Sequence, residues 1–202
     1  MESRDWLVTD NGECQACIFS GNVKYDSNTY RLYRFLTDIE DIIFTVKENR
    51  RRLQMIRPLV RRLVTSSYWL QSEFLEPSPE RGFSVLKLYE EPQFGISVEI
   101  VSAVPGIVSQ IHNHGSWAVI LLLQGSYKYT FWQPIKDKDF PHKIEPVSQK
   151  IIKAGDLISF LPNAIHRVES LGEEVTVTIC VYGTQETQRL EFDPLLHTAE
   201  AF

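Results

Sequence analysis

The chain is 202 residues long, 43% apolar, and carries a formal charge of −5. This length and apolar content suit one domain, residues 1–202, with an ample core, and the acidic balance argues against general nucleic-acid affinity. No apolar run is long enough to span a membrane, and three cysteines, an odd number, argue against a disulfide framework and for a reducing, cytoplasmic setting.

Taken in chain order, Met1-Glu-Ser-Arg-Asp-Trp6 has no signal-peptide pattern. Cys14-Gln-Ala-Cys17 has the spacing of half a zinc knuckle, but no second pair completes it. Residues 27–75 read as a helical segment. Thr37-Asp-Ile-Glu40 has the form of a capping box ahead of Ile42, Ile43 and Val46. Leu53, Ile56, Leu59, Val60 and Leu63 carry helical spacing, with Pro58 starting or kinking a helix there. The six arginines between Arg50 and Arg62 read as a solvated helix face. From Phe83 the pattern turns to short β-branched and aromatic runs, at 83–89, 96–103, 116–123, 126–132, 156–161 and 175–182. Pro134 to Pro146 is a charged loop, and residues 186–202 form a polar tail that includes Leu195-Leu196. The expectation is a mainly β protein, a barrel over 83–185 behind an N-terminal helical segment.

Three of the five histidines form a pattern within this barrel. His112 and His114 stand one residue apart, so on a strand both point to the same side. His166 arrives from a distant strand, eleven positions after Gly155 and shortly after Pro162. Neutral imidazole is a common ligand for Fe, Zn, Cu and Ni, and three of them leave coordination positions open for chemistry. A lone strand histidine is more often a satisfied core or surface residue; the pair and the distant third, spaced this way, favour metal.

The spacing Gly106, His112, His114, Gly125, followed by Gly155, Pro162, His166, resembles the two signatures of the cupins, double-stranded β-helix (jelly-roll) barrels. Many cupins add a glutamate four residues after the second histidine; here that position is Ala118. The expected ligand set is therefore three neutral histidines and no anion, leaving the metal its full charge for an anionic ligand such as a thiolate.

A narrower resemblance runs over roughly residues 50–185. Ile56-Arg-Pro-Leu59, Ser67-Tyr-Trp69, Leu88-Tyr89-Glu-Glu-Pro92, the run from Pro105 through Trp117 to Gly125, and His166-Arg167-Val168-Glu169 are similar, in order, to the thiol dioxygenases. That resemblance implies a mononuclear iron(II) held by His112, His114 and His166, and oxidation of a small thiol by O₂ to its sulfinate. It also implies that Thr178, Cys180 and Tyr182 occupy the family's Ser-x-His-x-Tyr positions, with a thiol replacing the central imidazole. Val85 occupies the family's carboxylate-binding arginine position; Lys87 shares its face and is a candidate cation, as is Arg167, although Arg167 faces away from His166 on a regular strand. The position of the family's crosslinking cysteine is Val119, so no Cys–Tyr crosslink forms there and free cysteine is expected to be a poor substrate. Trp117, with Tyr127, Tyr129 and Phe131, is expected to shape an apolar pocket.

The partners expected on this reading are a small thiol and O₂, with no nucleic acid and no membrane. Two alternatives stay open: another activity with Ni, Zn or Mn on the same three ligands, and a cupin that binds a small molecule without turnover.

Overall fold

The computed structural model describes residues 4–17, 30–72, 74–91 and 93–202. The first three residues of the signal-peptide reading, the start of the helical segment at 27–29, and Pro92 lie outside the described residues. In chain order the elements are β1 (Asp5–Val8), β2 (Cys14–Cys17), α1 (Leu32–Thr45), α2 (Asn49–Ser66), a short 3-10 turn (Tyr68–Gln71), β3 (Phe83–Glu91), β4 (Ile96–Ala103), β5 (Ile111–His112), β6 (Ala118–Gln124), β7 (Ser126–Pro134), β8 (Ile144–Lys153), β9 (Leu157–Phe160), β10 (Ile165–Leu171), β11 (Thr176–Tyr182), β12 (Leu190–Asp193) and β13 (Thr198–Ala201).

Two sheets face each other. One has seven strands in the order β2-β1-β9-β6-β11-β4-β3, the other six in the order β13-β12-β5-β10-β7-β8. Pairing is antiparallel except between β1 and β9. From β4 to β12 the chain passes back and forth between the sheets, leaving only β7 and β8 as consecutive strands of one sheet, and the fold is a double-stranded β-helix, or jelly roll.

The centre of the seven-stranded sheet is buried on both faces, which explains why β6 reads as a nearly unbroken apolar run. Val119 and Leu121 on β6, Ile179 and Val181 on β11, and Val98 and Ile100 on β4 pack outward against Phe35, Ile39, Leu53, Ile56, Val60 and Leu63 of the two helices. The alternate residues, Ala118, Ile120, Leu122, Ala103 and Cys180, point inward to meet Tyr127, Tyr129, Phe131 and Phe160. A smaller cluster of Ile111, Trp132, Ile144 and Ile165 lies on the other side of the six-stranded sheet.

The helical segment differs from expectation in three ways. Thr37 lies inside α1, where its hydroxyl donates to Tyr33 O at 3.0 Å, so it caps nothing. The capping carboxylate is instead Glu48, which accepts from the Arg50 and Arg51 amides at 2.8 and 2.7 Å and starts α2. Pro58 sits within α2, so of the two alternatives it does not start a helix.

The arginines are only in part a solvated face: Arg50 and Arg51 are exposed. Arg57 and Arg61 are buried; Arg61 pairs with Asp5 and donates to Gly155 O at 2.9 Å, and Arg57 donates to Ser159 Oγ at 3.3 Å. These guanidiniums fasten α2 to the strands that it covers. The sequence pattern shows charge but not the acceptors waiting on and beside β1 and β9.

Cys14 and Cys17 pack into opposite cores, Cys14 in the barrel interior and Cys17 under the helices, as three-residue spacing on a strand requires. The expected loop 134–146 gives way at Ile144, where β8 begins; β5 and β10 are strands of the histidine motif, whereas β1, β2, β12 and β13 lie outside the expected strand runs. Among the described residues no helix is long and apolar enough to cross a membrane.

Candidate metal centre

All three histidines belong to the six-stranded sheet or its immediate extension. β5 is only two residues long, yet it pairs with β10 on one side and β12 on the other. Its register sets His112 directly opposite His166 on β10, and directly opposite Glu191 on β12. Opposed residues share a face, so the two imidazoles enter the barrel side by side.

His114 is delivered by a clamp. The Asn113 side chain accepts from the Leu190 amide at 2.7 Å and donates to Gln188 O at 3.2 Å, while its own amide donates to Leu190 O at 3.1 Å. Gly115 follows with φ +65°, and its carbonyl accepts from the Glu186 and Thr187 amides at 2.7 and 2.9 Å. A Cβ at Gly115 would meet Thr187 O at 2.5 Å, so only glycine lets this turn lie against the 186–190 segment.

The ligand-type nitrogens of His112, His114 and His166 lie within 4.8 Å of one another. Ring centroids are 5.3 Å apart for His112–His114, 4.5 Å for His112–His166 and 4.6 Å for His114–His166. His112 Nδ1 lies 2.9 Å from Gln110 O and His166 Nδ1 lies 3.1 Å from Ala164 O. A carbonyl only accepts, so each Nδ1 donates and each Nε2 keeps its lone pair for the centre. His114 Nδ1 is buried without a hydrogen-bond partner. Phe160 braces two of the rings, stacked on His166 at 4.3 Å and edge-on to His114 at 5.3 Å.

Burial lowers the pKa of all three below the ordinary imidazole value, farthest for His114 and His166, where the neighbouring histidines push in the same direction. Three neutral imidazoles with converging lone pairs, one carrying an orphaned buried nitrogen, fit a bound divalent metal. The cupin glutamate position, Ala118, faces the barrel interior and offers only a methyl group.

The opposite wall comes from the seven-stranded sheet. Thr178, Cys180 and Tyr182 share with the three histidines a cavity of about 100 Å³, closed also by Tyr127, Tyr129 and Val168. The Thr178 hydroxyl lies 3.5 Å from Cys180 Sγ, and the Tyr182 ring centroid lies 5.2 Å from that of His114. Burial pushes the Cys180 thiol up to about 11, partly offset by hydrogen bonds from Thr178 and Tyr182, and burial raises the Tyr182 phenol well above its usual value. Both groups are protonated at neutral pH.

The substrate-side candidates separate. Val85 lines a wider cavity of about 490 Å³ that reaches His112 and Tyr182. Lys87 shares its face but is spent at the surface on Glu90, 2.6 Å away, at the rim of a neighbouring cavity of about 320 Å³. Trp117 lines none of these cavities; it is buried in the core beneath the helices, where Gly183 makes room for it, since a Cβ there would meet Trp117 Nε1 at 2.1 Å. Tyr127 and Tyr129 line the metal cavity, whereas Phe131 packs behind them. Arg167 is exposed, its guanidinium 5.6 Å from the Trp132 ring centroid. Val119 also faces the helices, so its position looks away from Tyr182 and could not crosslink to it whatever residue stood there.

Sequence reasoning missed the charges of the wider cavity. Arg81, Glu99, Arg189 and Glu191 all line it. The lack of an arginine at Val85 therefore does not leave a substrate carboxylate without a cation, because two guanidiniums line the cavity from outside that strand. Glu191 was findable only through the β5–β12 register, and Arg189 lay in what read as a polar tail. Glu99 had a legible signal, as the single charge in the apolar strand Ile96–Ala103.

No family model matches the chain. Among solved structures it is similar to oxalate oxidase in complex with glycolate, at 15% identity and a TM-score of 0.43, over 58% of this chain and 59% of that one. It is also similar to a Klebsiella pneumoniae protein with a double-stranded β-helix domain, at 18% identity and TM-score 0.46, over 60% and 87% of the two chains. A cupin protein from Ralstonia eutropha matches at 17% identity and TM-score 0.43, over 59% and 67%. The match spans about three fifths of the oxalate oxidase chain. The chain has a two-sheet jelly-roll fold and carries within it a three-histidine group that can hold a metal ion.

Proposed function

We propose that the protein is a mononuclear iron(II) dioxygenase that oxidises a small thiol with O₂ to its sulfinate. The observation that carries this reading is the shared cavity, in which three neutral imidazoles face a protonated phenol and thiol across about 100 Å³. His112, His114 and His166 would hold the metal, with His112 and His166 oriented by the Gln110 and Ala164 carbonyls. Iron bound there would supply a seat for the thiolate sulfur and the means of activating O₂.

The chain's own groups supply the rest. With no carboxylate among His112, His114 and His166, a divalent metal held there would keep its full charge and would favour an anionic ligand such as a thiolate. Tyr182 holds its proton and can donate a hydrogen bond to oxygen as negative charge develops there. Cys180 occupies the space of an imidazole with a weaker donor, and its raised pKa keeps it from acting as a competing thiolate. Tyr129 and Phe160 exclude water on the remaining side. The reaction balances as RSH plus O₂ to RSO₂H, both oxygen atoms ending on sulfur.

The test is metal analysis of protein purified without added metal, followed by oxygen uptake against a panel of small thiols with the product identified by mass. Iron content with stoichiometric sulfinate is the expected result. Full iron occupancy with no uptake on any thiol overturns the reading and favours another oxidation or a ligand-binding role; Ni, Zn or Mn as the resident metal points to a different activity on the same ligands.

A further inference from the structure

We propose that the 490 Å³ cavity is the seat of an apolar substrate body, so that the preferred thiol carries a hydrocarbon chain or ring. The sulfur in this proposal rests on the thiol-oxidation reading; the hydrocarbon rests on the walls of the cavity.

The cavity is continuous with the metal centre. Val101, His112, Tyr127, Val168 and Tyr182 line both it and the 100 Å³ space in front of the three histidines. Its walls come from the two facing sheets. On one side Phe83 stands opposite Ala103, and Val85 opposite Val101, across the β3–β4 pair. On the other, Val168 lies two residues beyond His166 on β10 and so shares its face, and Tyr127 projects from β7. Side chains ordinarily fill the interior of so small a barrel. Tyr129, Phe131 and Phe160 fill it elsewhere; here three valines and an alanine leave the space open.

The mouth is apolar as well. Phe83, Val108 and Phe202 line the cavity and are 38%, 47% and 55% exposed, and clustered apolar exposure beside a cleft marks a binding site. The Phe202 ring meets His112 edge-on, their centroids 6.0 Å apart, so this apolar rim reaches the metal-binding group itself. Four charged residues also line the cavity, Arg81 and Arg189 against Glu99 and Glu191, and their formal charges cancel. Both guanidiniums lie over rings of the rim, Arg81 5.4 Å from the Phe83 centroid and Arg189 4.3 Å from that of Phe202. The lining as a whole therefore singles out neither an anion nor a cation. A two-carbon thiol would leave most of this volume to water, which finds few hydrogen-bond partners between valine walls. A hydrocarbon body would displace that water, with a gain of about fourfold in affinity for each methylene buried.

The test compares hexane-1-thiol with ethanethiol, which is shorter by four methylene groups, on the iron-loaded wild-type protein. The expected KM for hexane-1-thiol is lower by roughly 10- to 100-fold. Val85→Thr, which keeps the side-chain shape and adds a hydroxyl, should shrink that ratio by roughly threefold or more. Val85→Phe, which takes up part of the space, should shrink it further. In zinc-loaded protein, which is diamagnetic, the Val85 and Val168 methyl resonances should shift more with hexane-1-thiol than with ethanethiol. Equal KM values for the two thiols, a ratio that neither variant alters, or a lower KM for the charged 2-mercaptoethanesulfonate than for hexane-1-thiol overturns the inference while leaving thiol oxidation intact. Should oxygen uptake be absent on every thiol, equilibrium binding of the same pair to cobalt(II)-loaded protein, followed by its visible absorption, decides the matter. Tighter binding of hexane-1-thiol would then keep the apolar seat and overturn the oxidation reading; equal binding, or binding of neither, would overturn both.

Discussion

The two sheets contribute different things to one cavity. The six-stranded sheet brings ligands: His112 and His166 are fixed by strand register, and His114 by the clamp on Asn113. The seven-stranded sheet brings a wall of protonated or charged groups, Thr178, Cys180, Tyr182 and Glu99, at alternate positions of strands whose other faces carry the helical layer. The ligand sheet has one face in the barrel and lets its other face meet solvent in places; the wall sheet is packed on both sides. A change on the first should therefore alter what is bound, and a change on the second what is done with it.

The largest effect is expected from His166→Ala. His166 is buried and centred between the other two rings, so its loss leaves two ligands and an unfilled space. Metal content should fall to background in a protein that keeps its far-ultraviolet circular dichroism. Retention of stoichiometric metal would break the assignment of the ligand sheet.

Next comes Asn113→Ala. Three hydrogen bonds join Asn113 to residues 188–190, and two of them use its side chain. Removing the amide leaves the Leu190 amide and the Gln188 carbonyl without those partners, at about 1–3 kcal/mol for a buried group left unsatisfied. The segment that spaces His112 from His114 also loses its tether. Metal affinity measured by chelator competition should drop roughly 10- to 100-fold, the usual cost of removing a group that orients ligands. The urea midpoint should fall as well.

On the opposite wall, Tyr182→Phe should leave metal affinity unchanged and slow turnover by roughly a hundredfold or more, the cost of one hydrogen bond to developing charge. Cys180→Ser should matter less, since a thiol is already a weak donor. The raised pKa of Cys180 gives a further measurement. In native metal-free protein the thiol should resist iodoacetamide at pH 7–8, the thiolate appearing only as pH rises toward about 11, and should react readily once unfolded. Site-resolved mass spectrometry is needed, because Cys14 is also held near 11 by burial. Rapid native labelling of Cys180 would mean that the wall is open to solvent.

The contrast between the sheets also explains what the sequence made legible. The histidine spacing, the strands expected over 83–89, 96–103, 116–123, 126–132, 156–161 and 175–182, and the inward Thr178-Cys180-Tyr182 face are local periodicities, readable because strand side chains alternate. The jelly roll is what the resemblance of the glycine and histidine spacing to the cupin signatures implies. What stayed hidden depends on register between distant strands: Glu191 beside His112, Arg189 beside Tyr182, Asn113 against residues 188–190. The tail was read as polar filler because β12 has no strong pattern of its own, and it becomes a strand only by pairing with β5. Trp117 shows the opposite error. It follows the ligand motif closely in sequence, but at the start of β6 it turns to the outer core.

The smallest effect is expected at Lys87, and it separates two accounts of how charge enters the cavity. If Lys87 supplied the cation for a substrate carboxylate, Lys87→Ala would raise KM for any carboxylate-bearing thiol. The structure instead exposes Lys87 and pairs it with Glu90, an interaction that raises the lysine pKa chiefly through that hydrogen bond and keeps its charge at the surface. Lys87→Ala should therefore leave KM and metal content within error of the wild type. Arg189→Ala should raise KM for 3-mercaptopropionate, because that guanidinium lines both cavities beside Tyr182. Arg189→Lys should recover little, since the flat guanidinium stacked over Phe202 has no ammonium equivalent. The reverse pattern, sensitivity at Lys87 and indifference at Arg189, would mean that substrate enters from the smaller cavity and that the wider one is not its path.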